Sequence, residues 1–344
     1  MTEATMTTEE DARPTEVRRR GGCGSRVARA VTVLLAIVGI VATGEFFFGA
    51  PGVGHFRTAE GRADYTESYD AAMRFLPEPT AVHDLPTAFG TVRAYEWSSP
   101  EAEGTVPVVL IPGMSSGVPM WAENLAGFAA HRRVIAFDAI GDAGMSVQGV
   151  PIASFEDQAE WISEALAQLA PDGAHVVGHS FGGAGAAAYA LSHPGDVASL
   201  TLLEPFMTVA NPPVGKFAWA MVGSLPLIPE DLRNRALGEI GGVPYDPEDP
   251  VARMISAGSE HYHSALPMPA VLDDDELRAL TMPVYAAFGD TDSLAGGEKA
   301  AGRADELLPD AEVTLWAGAT HSLPMQKAEA LGRDLAEFWS QSER

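Results

Sequence analysis

A single cysteine, Cys23, leaves no partner for an intramolecular disulfide and no basis for a cysteine-rich metal site. Lysine is nearly as scarce, occurring only at Lys216, Lys299 and Lys327, and 47 acidic residues against 22 basic ones set the formal charge at −25. That balance excludes nucleic acid as a partner, because displacing phosphate counterions takes clustered Lys and Arg. The acidity reads as a solvated surface rather than as a site for a cationic partner. Metal-ligand spacing is also missing. His261 and His263 stand at alternate positions without a nearby third ligand, and Asp273-Asp274-Asp275-Glu276 reads as a helix start. No metal or organic cofactor is expected.

Long apolar runs are absent with one exception, residues 30–48, which carry a single charge at Glu45. As a helix this run spans about 28 Å, the hydrocarbon thickness of a bilayer. Arg18, Arg19, Arg20, Arg26 and Arg29 precede it, which predicts a cytoplasmic N-terminus. The expected layout is a disordered cytoplasmic tail over residues 1–26, a single-pass transmembrane helix over 27–49 in the cell membrane, and the remaining chain on the extracytoplasmic side. A cleaved signal peptide is the competing reading, weakened by a poor cleavage site at Gly44-Glu45-Phe46-Phe47-Phe48-Gly49-Ala50.

Beyond the apolar run, 46% hydrophobic and 20% charged residues with 35 Gly and 25 Pro describe a globular chain rich in turns. Tyr65, Tyr69, Met73 and Leu76 follow a helical spacing that stops at Pro77 and Pro79, so residues 50–86 are expected to form a helical linker. The segment from Thr87 to Trp97 alternates around Gly90 and predicts a hairpin at a sheet edge. Short, continuous apolar runs then recur at 108–111, 133–137, 175–177, 198–203, 283–288 and 313–316. Such runs between helical patterns are those of parallel strands buried on both faces, so the fold class is α/β, a mostly parallel central sheet flanked by helices. Residues 206–279 break the rhythm with Pro212, Pro213, Pro226, Pro229, Pro244, Pro247 and Pro250 among other prolines and no clear strand. They are expected to form a helical lid inserted into a core made of 87–205 and 280–344, with helical pieces at 217–222 and 231–237.

The chemistry centres on Gly178-His179-Ser180-Phe181-Gly182-Gly183, between a predicted strand and a helix of small residues. A hydroxyl lifted out of a sheet on so sharp a turn needs tiny neighbours, and the helix start aims N–H groups at developing negative charge. Ser180 is therefore the candidate nucleophile. A hydroxyl needs a base at neutral pH, and His321, in the loop after the last predicted strand, is placed to serve. His179 reads as packing. The acid that orients the imidazole is expected at Asp292, in Gly289-Asp290-Thr291-Asp292, with Glu204 as the serious competitor and Asp290 as a third choice. The backbone N–H groups of Phe181 and Met114 are the candidate oxyanion donors, with Ser115 and Ser116 in ordinary turn roles. Trp121, Phe217, Trp219, Met221 and Met254 suit an acyl pocket or the core equally well.

From Thr87 to Arg344 these motifs make the chain resemble the α/β-hydrolase superfamily. The segment from Asp138 to Ser146 is similar to that group's Asp-x-x-Gly-x-Gly-x-Ser turn with one residue inserted, and its Ile140-Gly141-Asp142 version resembles a carboxylesterase-like bacterial branch. Pro112-Gly113 stands where many members have His-Gly. The resemblance implies a serine hydrolase acting on a small-molecule acyl substrate, an ester, thioester or amide. It argues against the branches that use an Asp nucleophile. An aminopeptidase-like amide hydrolase and a catalytically silent extracellular binding module remain alternatives.

Overall fold

The computed structural model describes residues 51–343 apart from 103, 131 and 226–227. The expected tail and membrane helix fall outside the described residues. Within them, no helix is long and apolar enough to cross a membrane.

In chain order the elements are β1 (His55–Phe56), α1 (Ala59–Met73), β2 (Ala81–Thr87), β3 (Gly90–Trp97), β4 (Val108–Ile111), α2 (Ala122–Phe128), β5 (Val134–Phe137), β6 (Val147–Gln148), α3 (Phe155–Leu169), β7 (Ala174–His179), α4 (Phe181–Ser192) and β8 (Val197–Leu203). There follow α5 (Val214–Gly223), α6 (Glu230–Gly241), α7 (Pro250–His261), β9 (Tyr262–His263), α8 (Asp274–Ala279), β10 (Val284–Gly289), α9 (Gly297–Leu307), β11 (Ala311–Trp316), α10 (Leu323–Gln326) and α11 (Ala328–Ser342).

The main sheet runs β11-β10-β8-β7-β4-β5-β3-β2, with β6 pairing β3. Strands β5, β4, β7, β8, β10 and β11 are parallel, and the β2–β3 hairpin joins antiparallel at the β5 side. Its turn lies at Ala88-Phe89, between the paired Thr87 and Gly90. Each central strand feeds two cores. Val109 and Ile111 of β4 pack with Trp161, Ile162 and Ala186 of α3 and α4, whereas Val108 and Leu110 pack with Tyr65, Leu125, Leu335 and Trp339 of α1, α2 and α11. Burial on both faces is what made these strands read as unbroken apolar runs.

The stretch read as a linker is part of this body. Residues 81–86 extend the edge strand β2, and Tyr65 and Tyr69 of α1 are core residues. Alternating exposure on β2 and the tolerance of an edge strand for Pro86 explain why its first residues did not read as strand. Helix α1 packs along α7, and β1 pairs antiparallel with β9. Residues 206–279 contain α5, α6, α7 and α8; α7 and the short β9 were not foreseen there. The acidic run does start a helix. Asp273 caps α8, its side chain accepting from the Asp275 and Glu276 N–H groups while Glu276 reaches back to the Asp273 N–H.

At the end of the sheet remote from Ser180, His175 of β7 is completely buried. Its Nδ1 lies 2.8 Å from Ser199 Oγ, its Nε2 3.0 Å from Glu343 Oε1, and its ring stacks on Trp339. Burial depresses its pKa to about 4, outweighing the Glu343 contact. A histidine whose folded pKa lies below its unfolded value adds stability that is complete above about pH 6.5 and is lost as pH falls toward 4. Between pH 7 and pH 5 the wild type should lose about 2 kcal/mol more than His175→Gln in urea unfolding. Parallel losses in the two proteins would refute this account of His175.

Candidate active site

Ser180 links β7 to α4 with φ 52° and ψ −120°, a left-handed conformation that a residue with a side chain holds only under constraint. Its N–H donates to the Leu203 carbonyl at 3.1 Å, and its own carbonyl accepts from Gly183 and Phe206, both at 3.0 Å. The turn closes because its neighbours lack side chains. A Cβ on Gly178 would meet the Gly182 carbonyl oxygen at 2.5 Å, and one on Gly182 would collide with the Ile111 and Pro112 carbonyls. The glycines at these two positions are thus demanded by the approach of α4 to β4 and β7.

His321 lies between β11 and α10, buried, with Nε2 2.9 Å from Ser180 Oγ and Nδ1 3.0 Å from Glu204 Oε2. A carboxylate only accepts, so Nδ1 carries the proton and donates to Glu204, leaving Nε2 to accept from the serine hydroxyl. Glu204, at the end of β8, is wholly buried with φ 47°. Its Oε1 accepts from the Gly289 N–H and from Ser293 Oγ, both at 2.7 Å, and its Oε2 also accepts from the Ala295 N–H at 3.3 Å.

This corrects the expectation for the acid. Asp292 does not reach His321. It is exposed and pairs with Lys216 of α5 at 3.2 Å. Asp290 is exposed as well and accepts from the Gly318 N–H at 2.7 Å. The 289–295 loop, read as the carrier of the acid, instead donates to Glu204 of the neighbouring strand. The available signal was a lone carboxylate closing the apolar run of β8.

His179 does more than pack. It is buried, its Nε2–H donates to the His321 carbonyl at 3.0 Å, and the two rings are 5.0 Å apart. Burial, reinforced by the neighbouring imidazole, lowers its pKa to about 3, so it is a neutral clamp on the His321 backbone.

The two candidate oxyanion donors lie on either side of Ser180. Phe181 opens α4, and Met114 is the second residue of a turn in which the Ser116 N–H donates to the Gly113 carbonyl at 3.1 Å. A Cβ on Gly113 would sit 3.2 Å from the Ser180 Cβ, so this turn passes directly beside Ser180. Among the described residues neither N–H donates to a protein acceptor. Ser116 Oγ bonds the Met114 carbonyl at 3.2 Å, a turn role as expected.

The 206–279 insertion grips the loop that carries His321. The Gly241 carbonyl at the end of α6 accepts from Thr320 Oγ1 at 2.7 Å, from Ser322 Oγ at 3.0 Å and from the Ser322 N–H at 3.2 Å. Lys216 donates to the Glu239 carbonyl at 2.6 Å while it holds Asp292. Helix α5, Val-Gly-Lys-Phe-Ala-Trp-Ala-Met-Val-Gly, is apolar around most of its circumference, yet only Gly223 is buried. Phe217, Trp219 and Met221 are half-buried on it, whereas Trp121 and Met254 belong to the core. His261 bonds Asp64 at 2.9 Å and His263 pairs in register with His55; no cluster of three metal-ligating side chains occurs among the described residues.

A family model for the alpha/beta hydrolase fold matches residues 106–237. Carboxylesterase YbfK of Bacillus subtilis is 25% identical over 82% of this chain and 96% of its own length. The uncharacterized carboxylesterase nap of the same organism is 24% identical over 80% of this chain and 92% of its own. The crystal structure of YbfK (CesB) superposes with a TM-score of 0.75 over 81% of this chain and 98% of its own, at 23% identity. The strand order, the strained serine elbow and these matches together show that the chain has the alpha/beta hydrolase fold.

Proposed function

We propose that this protein is a serine carboxylesterase that works through an acyl-enzyme on Ser180. The observation that carries the reading is the continuous hydrogen-bonded chain from Ser180 Oγ through His321 to the buried Glu204 carboxylate, set on a strained elbow. His321 Nε2 takes the hydroxyl proton as Ser180 Oγ attacks the ester carbonyl. Glu204 then faces an imidazolium, whose charge it offsets from a fully buried position. The N–H groups of Phe181 and Met114 receive the oxyanion, each worth about 3 kcal/mol in the transition state. Collapse expels the alkoxide, which takes the proton from His321, and a water activated by the same imidazole releases the acid. The two curated relatives, both carboxylesterases by name and covered nearly end to end, support an ester over an amide or thioester.

A fluorophosphonate probe tests the nucleophile: the full chain should label and Ser180→Ala should not. Labelling that survives in Ser180→Ala would sink the reading. Glu204→Gln should lower kcat by about 10⁴-fold, the scale on which an orienting acid acts, while Asp292→Asn should change it by less than about threefold. The reverse order would restore Asp292 as the acid.

The half-exposed aromatic and aliphatic side chains of α5 support an ester with an apolar acyl group, each buried methylene adding about 0.8 kcal/mol to binding. Across p-nitrophenyl esters from acetate to decanoate, kcat/KM should rise with chain length in the wild type and flatten in Trp219→Ala. A preference for acetate in both would contradict this.

The apolar residues 30–48 and the arginines before them support a single-pass anchor, with the N-terminus in the cytoplasm and the catalytic domain outside the cell membrane. The full chain should stay in the membrane pellet after alkaline carbonate, and protease added to intact cells should remove the catalytic domain. Release by carbonate would exclude the anchor.

A further inference from the structure

Beneath the turn that carries Met114 lies a buried carboxylate with no part in the reaction above. Asp142 sits in the loop after β5, and its Oδ2 accepts from the Ser115 N–H at 2.5 Å while its Oδ1 accepts from the Ala143 N–H at 2.8 Å. The titratable groups facing it are Asp138 at the end of β5, Tyr65 from α1 and Tyr262 from β9. From α7, Gly258 closes on its neighbours: a Cβ there would lie 3.1 Å from Ala143, 3.3 Å from Tyr65 and 3.4 Å from Ser115. Among the described residues no Lys, Arg or His forms an ion pair with it.

Its partner is strained. In the Gly113–Ser116 turn, Ser115 occupies the second central position with φ 58°, the left-handed conformation that type II turns require there and normally fill with Gly or Asn. Turning over the Met114–Ser115 peptide gives a type I turn, in which Ser115 takes an ordinary negative φ. That rotation would withdraw the Ser115 N–H from Asp142 and present the Met114 carbonyl in its place. An ionised carboxylate can only accept and therefore opposes the flip, whereas a protonated acid can donate to the carbonyl and favours it.

We propose that Asp142 is a positioning residue for the oxyanion turn: its ionised carboxylate holds the Met114–Ser115 peptide in its strained orientation and so fixes the turn that presents the Met114 N–H, and protonation releases that peptide and loosens the turn. The inference rests on the reading of Ser180 as an acyl-forming nucleophile. Burial pushes the Asp142 carboxyl up to about 7, so the release falls in the neutral range.

The test is kcat and KM for p-nitrophenyl butyrate between pH 5 and 9, on the full chain as wild type, Asp142→Asn, Ser115→Gly and the double variant. In the wild type, both His321 and Asp142 must be deprotonated, and the acid limb of log kcat against pH should approach a slope of about two. Asp142→Asn, which accepts through its amide oxygen at every pH, should reduce that slope to about one and lower kcat roughly tenfold at pH 8, with KM shifted by less than about twofold. Glycine at 115 removes the strain, so the double variant should recover most of the lost kcat, which a merely structural role for Asp142 would not produce. Asp142→Asn with the wild-type slope and a kcat within about twofold of it would overturn the proposal. Should Asp142→Asn fail to fold, Ser115→Gly decides alone: its acid limb should fall to a slope of about one, and a retained slope of two refutes the inference. Failure of the esterase reading has a separate signature, a wild type that neither hydrolyses the ester nor takes the fluorophosphonate.

Discussion

An ionised carboxylate withdrawn from water costs several kcal/mol unless donors surround it, and Glu204 meets that demand with four. Each donor fixes a different piece of chain. The Gly289 N–H ties down the end of β10, Ser293 Oγ and the Ala295 N–H shape the loop that follows, and His321 Nδ1 brings in the loop after β11. Ser293 Oγ in turn accepts from the Gly296 and Gly297 N–H groups, which sets the start of α9. Removing the carboxylate would thus leave three segments without a common anchor, and His321 without the bond that selects its tautomer. Ser180 depends on the same point at one remove, since its N–H is held by Leu203, the residue before Glu204.

How much of this was legible in the chain follows from where each signal lives. Of the six parallel strands, β4, β5, β7, β8 and β10 declared themselves because burial on both faces leaves them mostly apolar, whereas β11 lies at the sheet edge and is only partly buried. The elbow declared itself because only glycine lets α4 approach β4 and β7 so closely. The acid was misread because spacing along one strand end says nothing about which of two adjacent strand ends turns its carboxylate inward. Asp292 shares its loop with Thr291 and Ser293, a polar setting that suits solvent, whereas Glu204 ends a strand of apolar residues where a charge has to have a reason. His179 was undervalued for a related reason: its bond to the His321 carbonyl joins residues 142 positions apart, and nothing local announces it. The strand β2 and the helix α7 escaped because an exposed edge and a proline-rich insertion both dilute the periodic signal.

The position given to Asp292 in the sequence reading has a use after all, though a mechanical one. Through Lys216 it ties α5 to the loop between β10 and α9, while Thr320 and Ser322, on either side of His321, tie α6 to the loop after β11. The insertion therefore does not rest on the core at an arbitrary place. Its helix ends grip the residues flanking His321, and a movement of α5 and α6 would be transmitted to His321 through three hydrogen bonds to one carbonyl. The apolar faces that would meet an acyl chain and the polar ends that steady the base belong to the same pair of helices.

Three buried titrating groups near or below the sheet divide into two kinds. His175 and His179, held neutral with pKa values near 4 and 3, lend stability that grows as pH rises toward about 6.5 and is complete above it. Asp142 works in the opposite direction. Its folded pKa of about 7 lies above the unfolded value, so the stability associated with its neutral form is present at low pH and lost as pH rises through 7, a cost of about 4 kcal/mol once it is ionised. A buried aspartate without a cation is expensive at the pH where the two histidines are most content. A neutral Asn at that position would remove the cost and keep a hydrogen bond to Ser115, so packing and stability alone do not account for the carboxylate. What an ionised Asp does and an Asn does not is hold the Ser115 N–H with a full charge against the strain of a positive φ. The stability given up at Asp142 is thus concentrated on the one peptide that follows the Met114 N–H.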